Sequence, residues 1–232
     1  MLRMAIVTLL SLFIFIGIFI GGGQALAQTS QQAIEELSNR GLFYSADAFI
    51  AAVKANDLRS VDLFMAAGLD PDVTDPGEAP AIAHAAQEGN TVMVDTLLEY
   101  GASVNAVDPE NQKTPLFYAL ENEHPDTAAL LLKHGADPNA RGPDGITPLM
   151  LAARNGDDEM ARLLLESGAD IVAQADDGST ALTVAANAGH DNVSRLLQQW
   201  YAALHPSPVI RPFPADGGHP YDGLPLSILR RR

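Results

Sequence analysis

Residues 144–176 read DGITPLMLAARNGDDEMARLLLESGADIVAQAD, a stretch with the start and stop signals of two short helices. Asp144 and Gly145 predict a turn, because glycine tolerates the positive φ that many turns require. Thr147 is a favoured helix N-cap residue. Pro148 fits the first helical position, where its missing N–H costs nothing. The stretch therefore begins with a turn followed by a capped helix.

Both helices place their apolar residues at the i, i+3 and i+4 spacing of one helical face. These residues are Leu149, Ala152 and Ala153, then Met160, Leu163 and Leu164. Gly156 ends the first helix, and Gly168 ends the second as a left-handed cap. Neither helix is long enough to be stable alone in water, so the pair needs copies of itself to cover its apolar face.

The copies occur at a nearly constant spacing along the chain. Thr114, Thr147 and Thr180 are 33 residues apart, and each starts a near-repeat of the same pattern. The ends of four successive second helices are spaced by 33, 34 and 33 residues, at Gly68, Gly101, Gly135 and Gly168. The one extra residue falls in a turn, where insertions are tolerated.

The repeats resemble the ankyrin repeat family in the segments TPLMLAARNG and TPLFYALENE, the GAS and GAD tripeptides and the 33-residue period. The resemblance covers roughly residues 42–201. It implies an all-α ankyrin-repeat solenoid of about five stacked helix-turn-helix repeats with short hairpin turns, and a concave face that binds other macromolecules. The position after Thr-Pro-Leu, usually histidine in the family, holds Phe117 and Met150 here. The resemblance then implies a looser turn side.

The chain divides into four predicted segments. Residues 1–27 form a signal peptide, 28–41 an N-terminal capping helix from Ser30 to Asn39, and 202–232 a proline-rich C-terminal tail of extended or disordered character with apolar residues that could dock on the last repeat. The ankyrin repeat domain occupies 42–201, with repeats at about 42–74, 75–108, 109–143, 144–176 and 177–201. In repeat five, polar Gln198 replaces an apolar residue of the other repeats, which marks the end of the stack.

The N-terminal segment has the three parts of a bacterial export signal. Arg3 supplies the positive charge, residues 4–20 are apolar, and Ala25, Leu26 and Ala27 form a small-residue cleavage site. This pattern predicts a periplasmic protein beginning at Gln28. The alternative is an uncleaved inner-membrane anchor, because 17 apolar residues are at the lower limit for spanning a bilayer.

Composition argues against several function classes. Residues 28–201 include 27 acidic and 9 basic side chains, so nucleic acid would be repelled. Cysteine is absent, and the six histidines have no metal-ligand spacing. The acidic run of Asp70, Asp72, Asp75 and Glu78 lacks the glycine and the distant glutamate of an EF-hand. No nucleophile elbow, phosphate loop or dinucleotide turn occurs, so we expect no cofactor, no metal and no catalysis.

The sequence thus predicts a monomer that binds one protein partner non-covalently. Alternatives are an inhibitor or immunity-type partner of a secreted protein, a membrane-anchored scaffold and, from another class, an enzyme built on the tail or an acidic cleft. Repeat-defining residues are committed to packing, so binding falls to the turn tips and the exposed side of each first helix. These candidate partner-binding residues are Glu88, Glu110, Lys113, Glu121, Asn122, Arg141, Ile146, Arg154, Asn155, Ser179 and Asn187.

Three of the candidates carry the strongest signal. Arginine is enriched at binding hot spots, which favours Arg141 and Arg154, and Ile146 is an apolar side chain at a turn where the repeat does not require one. The competing interpretation is that the two arginines only offset nearby carboxylates, a small effect at a surface.

We predict that the native protein begins at Gln28 and is recovered from the periplasmic fraction, because the small-residue site follows the glycine break at residues 21–23. N-terminal sequencing of the native protein checks this. Recovery of the chain with Met1 in a membrane fraction would instead show an anchor.

Overall fold

The structure is a computed structural model that describes residues 22–74 and 79–204, with side chains from Thr29 onward. The apolar run of the predicted signal, most of the acidic run and nearly all of the predicted tail lie outside these ranges. Within them are eleven α-helices and one 3-10 helix, Pro143–Gly145. The α-helices are α1 (Gly22–Asn39), α2 (Ala46–Lys54), α3 (Leu58–Ala66), α4 (Ala81–Gln87), α5 (Thr91–Glu99), α6 (Pro115–Glu121), α7 (Pro125–Lys133), α8 (Pro148–Asn155), α9 (Asp158–Glu166), α10 (Ala181–Ala188) and α11 (Asp191–Leu204).

The helices are stacked in pairs, which confirms the all-α solenoid predicted from the repeats. The first helices of the five repeats, α2, α4, α6, α8 and α10, form one layer, and the second helices form another beside it. Small side chains lie where first helices of adjacent repeats meet: Ala153 and Ala185 are fully buried. Alanine permits this close approach because its side chain is a single methyl group. The result is one continuous apolar core.

The helix ends have the predicted chemistry. The Thr147 hydroxyl accepts a hydrogen bond from the Met150 N–H at 3.4 Å, and Pro148 occupies the first position of α8. Left-handed backbone follows each first helix, with φ of 73° at Gly156, 55° at Asn56 and 58° at Glu123. Thus the predicted turn residues are confirmed, and asparagine and glutamate occupy in repeats one and three the conformation that glycine occupies in repeat four.

A ladder of side-chain hydrogen bonds connects neighbouring repeats on the turn side. One Asp or Asn per repeat accepts a bond from a backbone N–H just after the next second helix. These bonds join Asp72 to Ser103, Asn105 to Asp137 and Asn139 to Asp170, at 2.7 to 2.9 Å. The ladder ties together the turns that lack the family's histidine, so hydrogen bonds of another kind link this side of the stack.

Two histidines connect repeats on the opposite side. The His190 Nε2–H donates to the Arg154 carbonyl at 3.0 Å, and its ring lies directly over Gly156. His124 repeats this arrangement over Gly89. The sequence suggested the turn-packing role for His190, and the structure adds His124 to it. In both cases a glycine stands one repeat earlier, because a Cβ there would meet the imidazole ring.

The N-terminal flank covers the first repeat. Helix α1 begins at Gly22, earlier than the Ser30 start suggested by the sequence, because the Ser30 hydroxyl donates to the Ala66 carbonyl at 3.2 Å instead of capping a helix. Leu37 of α1 is fully buried against the stack. Arg40 donates to the Ser60 hydroxyl at 2.7 Å. No helix in the described ranges is long and apolar enough to cross a membrane.

The last second helix is longer than its counterparts. Helix α11 continues past Tyr201 to Leu204, because Ala202, Ala203 and Leu204 are strong helix formers. Gln198 is exposed, in agreement with its interpretation as a residue of the outer end.

We predict that Gly156→Ala lowers the denaturant midpoint more than Gly168→Ala does. Both positions have positive φ, which costs alanine about 1 kcal/mol. Only at Gly156 would the new Cβ also meet a side chain, at 2.6 Å from His190 Nδ1. Displacing that ring sacrifices its hydrogen bond, a further cost of about 1 kcal/mol. Equal midpoints for the two variants would contradict the inter-repeat role of His190.

Candidate functional site

An open groove of about 520 Å³ lies between repeats four and five. Its walls come from the two turns and from the first helices α8 and α10. Its lining consists of Asp144, Ile146, Met150, Leu151, Arg154, Ala175, Asp176, Asp177, Ser179 and Val184. The floor is apolar, whereas carboxylates stand along the turns and a guanidinium stands on the α8 side. Ligand sites in proteins commonly combine an apolar floor with a few polar groups.

The two turns that form the groove are held together by hydrogen bonds. The Asp176 N–H donates to the Asp144 carbonyl at 2.9 Å. Arg141 reaches across with Nη1 on the Gln174 carbonyl at 2.9 Å and Nη2 on the Asp176 carboxylate at 3.0 Å. Gly145 has a φ of 70°, and a Cβ there would collide with the Arg141 guanidinium. Arg141 is therefore a clamp between turns, which supports the carboxylate-pairing interpretation for this residue.

Arg154 differs from Arg141 in its surroundings. It is exposed on α8, and within the described ranges its guanidinium makes no ion pair. Ile146 is partly buried at the groove, so it is less exposed than a turn-tip residue was expected to be. Across the groove, hydrogen bonds from the Ser179 side chain and backbone N–H lower the pKa of Asp177, which keeps that carboxylate ionised. The site thus offers separated charges of both signs around an apolar floor.

The corresponding place one repeat earlier is filled by larger side chains. Lys113, Phe117 and Tyr118 precede Ile146, Met150 and Leu151 by one 33-residue repeat. The Phe117 ring lies against Gly142, where even a Cβ would not fit. The Lys113 ammonium lies 5.6 Å from the Phe117 ring centroid and 5.4 Å from that of Tyr118. Repeat three is closed here because aromatic rings occupy the space.

A buried polar network completes this closed turn. The Asp108 carboxylate, 2% exposed, accepts bonds from the Tyr118 hydroxyl, the Asn111 amide and the N–H groups of Glu110 and Asn111. Burial alone would raise the pKa of Asp108, but these four donors outweigh it and lower the pKa. Burial, followed by the bond to Asp108, raises the pKa of Tyr118 to about 12. At the equivalent positions, repeat four has Arg141 and Leu151, which cannot form this network.

The structure brings together only some of the predicted partner-binding residues. Ile146, Arg154 and Ser179 meet in the groove, with Arg141 beside it. Lys113 and Glu121 form an ion pair at 2.6 Å in repeat three. The remaining candidates lie outside the groove: Glu88 and Asn122 end α4 and α6, Asn155 donates to the Leu120 carbonyl at 2.8 Å, and Glu110 and Asn187 are exposed elsewhere.

Sequence reasoning missed most of the groove lining. Met150, Leu151 and Val184 were assigned to the core, and the three aspartates to the turns. The available signal was the loss of bulk at one repeat position, from Tyr118 to Leu151 to Val184. Nowhere in the described part of the chain do three or more His, Asp or Glu side chains form a set that could hold a metal ion.

Comparison with known proteins now gives the family. The model of the family described as "Ankyrin repeats (3 copies)" matches residues 49–142 and 141–205, which is more than half of the chain. The chain belongs to the ankyrin repeat family. Ankyrin repeats imply protein–protein interaction, and proteins of this family are typically non-enzymatic binding scaffolds.

Several curated proteins share this ankyrin region. An ankyrin repeat-containing protein of Treponema pallidum (strain Nichols) is 34% identical over 111 residues, which cover 48% of this chain and 37% of that protein. The BTB/POZ domain and ankyrin repeat-containing protein NBCL of Lotus japonicus is 42% identical over 98 residues, covering 41% and 19%. Zygote-specific protein 3 of Chlamydomonas reinhardtii is 33% identical over 102 residues, covering 44% and 27%. The chain therefore matches less than two fifths of each relative's length.

We predict that Asp108→Asn lowers the free energy of unfolding by about 1 to 3 kcal/mol at neutral pH, because it replaces a charged acceptor with an amide in a buried network. Since the pKa of Asp108 is lowered in the folded state, its contribution is fully present above the ordinary carboxyl pKa of about 3.9. It is lost as the pH falls through that value toward the folded-state pKa.

Urea titrations of the parent and the variant between pH 7 and pH 2 measure this effect. The gap between them should narrow below about pH 4. Glu110→Gln is the matched control, because its exposed side chain makes no bond in the network. A gap that stays constant down to pH 2 would show that Asp108 contributes no pH-dependent stability.

Proposed function

We propose that this chain is an exported ankyrin-repeat protein that binds a protein partner non-covalently in the bacterial periplasm, using the groove between repeats four and five. The observation that carries the binding site is the placement of Ile146, Arg154 and Ser179, three residues free of repeat-defining roles, around one apolar floor. The corresponding surface in repeat three is filled by Phe117 and Tyr118. The groove is thus a local departure from the repeat, as a specific binding site requires.

The groove chemistry indicates what the partner presents. The apolar floor of Ile146, Met150 and Val184 suits an aliphatic or aromatic side chain, which gains free energy when it leaves water. The exposed carboxylates of Asp176 and Asp177 suit a basic group next to it on the partner. Arg154 suits a carboxylate or a backbone carbonyl on the other side. A partner segment with an apolar residue flanked by charges of both signs would satisfy all of these groups.

Export is proposed from the sequence of the first 27 residues. Arg3, the apolar residues 4–20 and the small residues Ala25 to Ala27 form the pattern of a cleaved signal. A cysteine-free chain also suits an oxidising compartment, where free thiols would react. An inner-membrane anchor is the outcome that a retained N-terminus would establish.

We predict that Ile146→Ser combined with Arg154→Ala weakens capture of the native partner from an envelope fraction at least tenfold, which corresponds to about 1.4 kcal/mol. The free energy of unfolding should fall by only about 1 kcal/mol, because Arg154 is exposed and Ile146 is partly buried. Lys113→Ser combined with Glu121→Ala is the matched control, since these residues occupy the same positions one repeat earlier. The control should retain capture.

A photo-crosslinking amino acid at Asp177 tests the same site in living cells. We expect a discrete adduct from this position and none from Glu166, which is exposed on the second helix α9. If the double variant captures the partner normally, and capture is lost instead when residues 202–232 are deleted, binding belongs to the tail and the groove assignment is wrong.

A further inference from the structure

The described part of repeat five leaves one face of its first helix uncovered. In repeat four, Leu149 and Ala153 face the next repeat and are 1% and 0% exposed. One repeat later the same positions are Leu182 and Ala186, of which Leu182 is partly exposed and Ala186 is exposed. The difference arises because no sixth helix pair follows in the described ranges to cover them.

The second helix of this repeat adds further apolar surface. Tyr201 and Leu204 of α11 are 48% and 59% exposed, and Trp200 is partly buried against the core. We call Leu182, Ala186, Tyr201 and Leu204 the end face. Terminal repeats of a solenoid need a cover or a polar outer surface, and the end face is only partly polar.

The opposite end of the same stack shows how this molecule covers a terminal repeat. There the chain outside the repeats supplies α1, whose Leu37 and Ala33 are buried and whose Glu36 pairs with Arg59 of α3 at 2.5 Å. A flanking segment, and not a further repeat, therefore closes the N-terminal end. At the C-terminal end the chain also continues directly from the end face, at Leu204.

The residues that follow have suitable chemistry and reach. Residues 205–214 read HPSPVIRPFP, with apolar Val209, Ile210 and Phe213 among four prolines. Prolines restrict the backbone before binding, so less conformational entropy is lost when the segment docks. An extended chain advances about 3.3 Å per residue, so Ile210 and Phe213 can reach about 20 to 30 Å from Leu204. That span exceeds the width of two packed helices, each about 10 Å across.

We propose that residues 205–214 pack across the end face of repeat five, with Ile210 and Phe213 covering Leu182 and Ala186. This segment is then the C-terminal counterpart of α1. The assignment is independent of the groove between repeats four and five, which lies on the other side of α10 and involves Val184.

Trp200 provides a built-in probe, because it is the sole tryptophan of the chain and lies at this end. In the full chain, Ile210→Ser combined with Phe213→Ser should shift Trp200 emission to the red and increase its quenching by iodide. Amide hydrogen exchange in Ala181–Ala188 should become faster. Leu224→Ser combined with Ile228→Ser makes the same chemical change farther along the same tail and should leave both measurements at the parental values.

The outcomes separate the possible covers of the end face. Unchanged Trp200 emission and exchange in the first variant, or equal changes in both variants, would overturn the proposal. Light scattering distinguishes a second copy of the chain as the cover: a dimer of the full chain that dissociates on Leu182→Glu would overturn it as well. A monomer with the predicted difference between the two variants supports it.

Discussion

The packing of each first helix against its neighbours is the interaction on which the rest of the structure depends. A pair of helices seven to fourteen residues long cannot hide its own apolar face, so that face is buried only by the next pair. Ala153 and Ala185 allow the close approach, and small changes there affect two repeats at once. The turn ladder through Asn105 and Asn139, and the histidines over Gly89 and Gly156, keep the pairs in this register.

Function then arises where a repeat departs from its neighbours. Repeat three closes its turn with Asp108, Tyr118 and Phe117, a buried network reinforced by aromatic packing. Repeat four keeps the same backbone but has Arg141 and Leu151 at two of these positions. The backbone can remain the same because Arg141 clamps the adjacent turn from outside the space that Tyr118 fills from inside. Removing the aromatic bulk without losing the turn is what opens the groove.

Local features could be predicted from the sequence, because they depend on one or two residues. The threonine caps, the prolines of α6 and α8, and the left-handed backbone at Asn56 and Glu123 each follow from the chemistry of single positions. The groove could not be predicted in the same way, since its volume is a difference between side chains from two repeats. Partial burial of Ile146 and the clamp formed by Arg141 likewise depend on where the next turn lies. The start of α1 was missed because the Ser30 hydroxyl bonds to a distant carbonyl instead of capping a helix.

The central claim is that the partner occupies the groove between repeats four and five. Amide hydrogen exchange of the protein, free and saturated with its purified partner, tests this most directly, because protection reports the contacted backbone without altering any residue. The account predicts slower exchange in residues 144–155 and 175–184 and unchanged exchange in Asp158–Glu166. Protection confined to repeats one to three, or to the residues beyond Leu204, would contradict it.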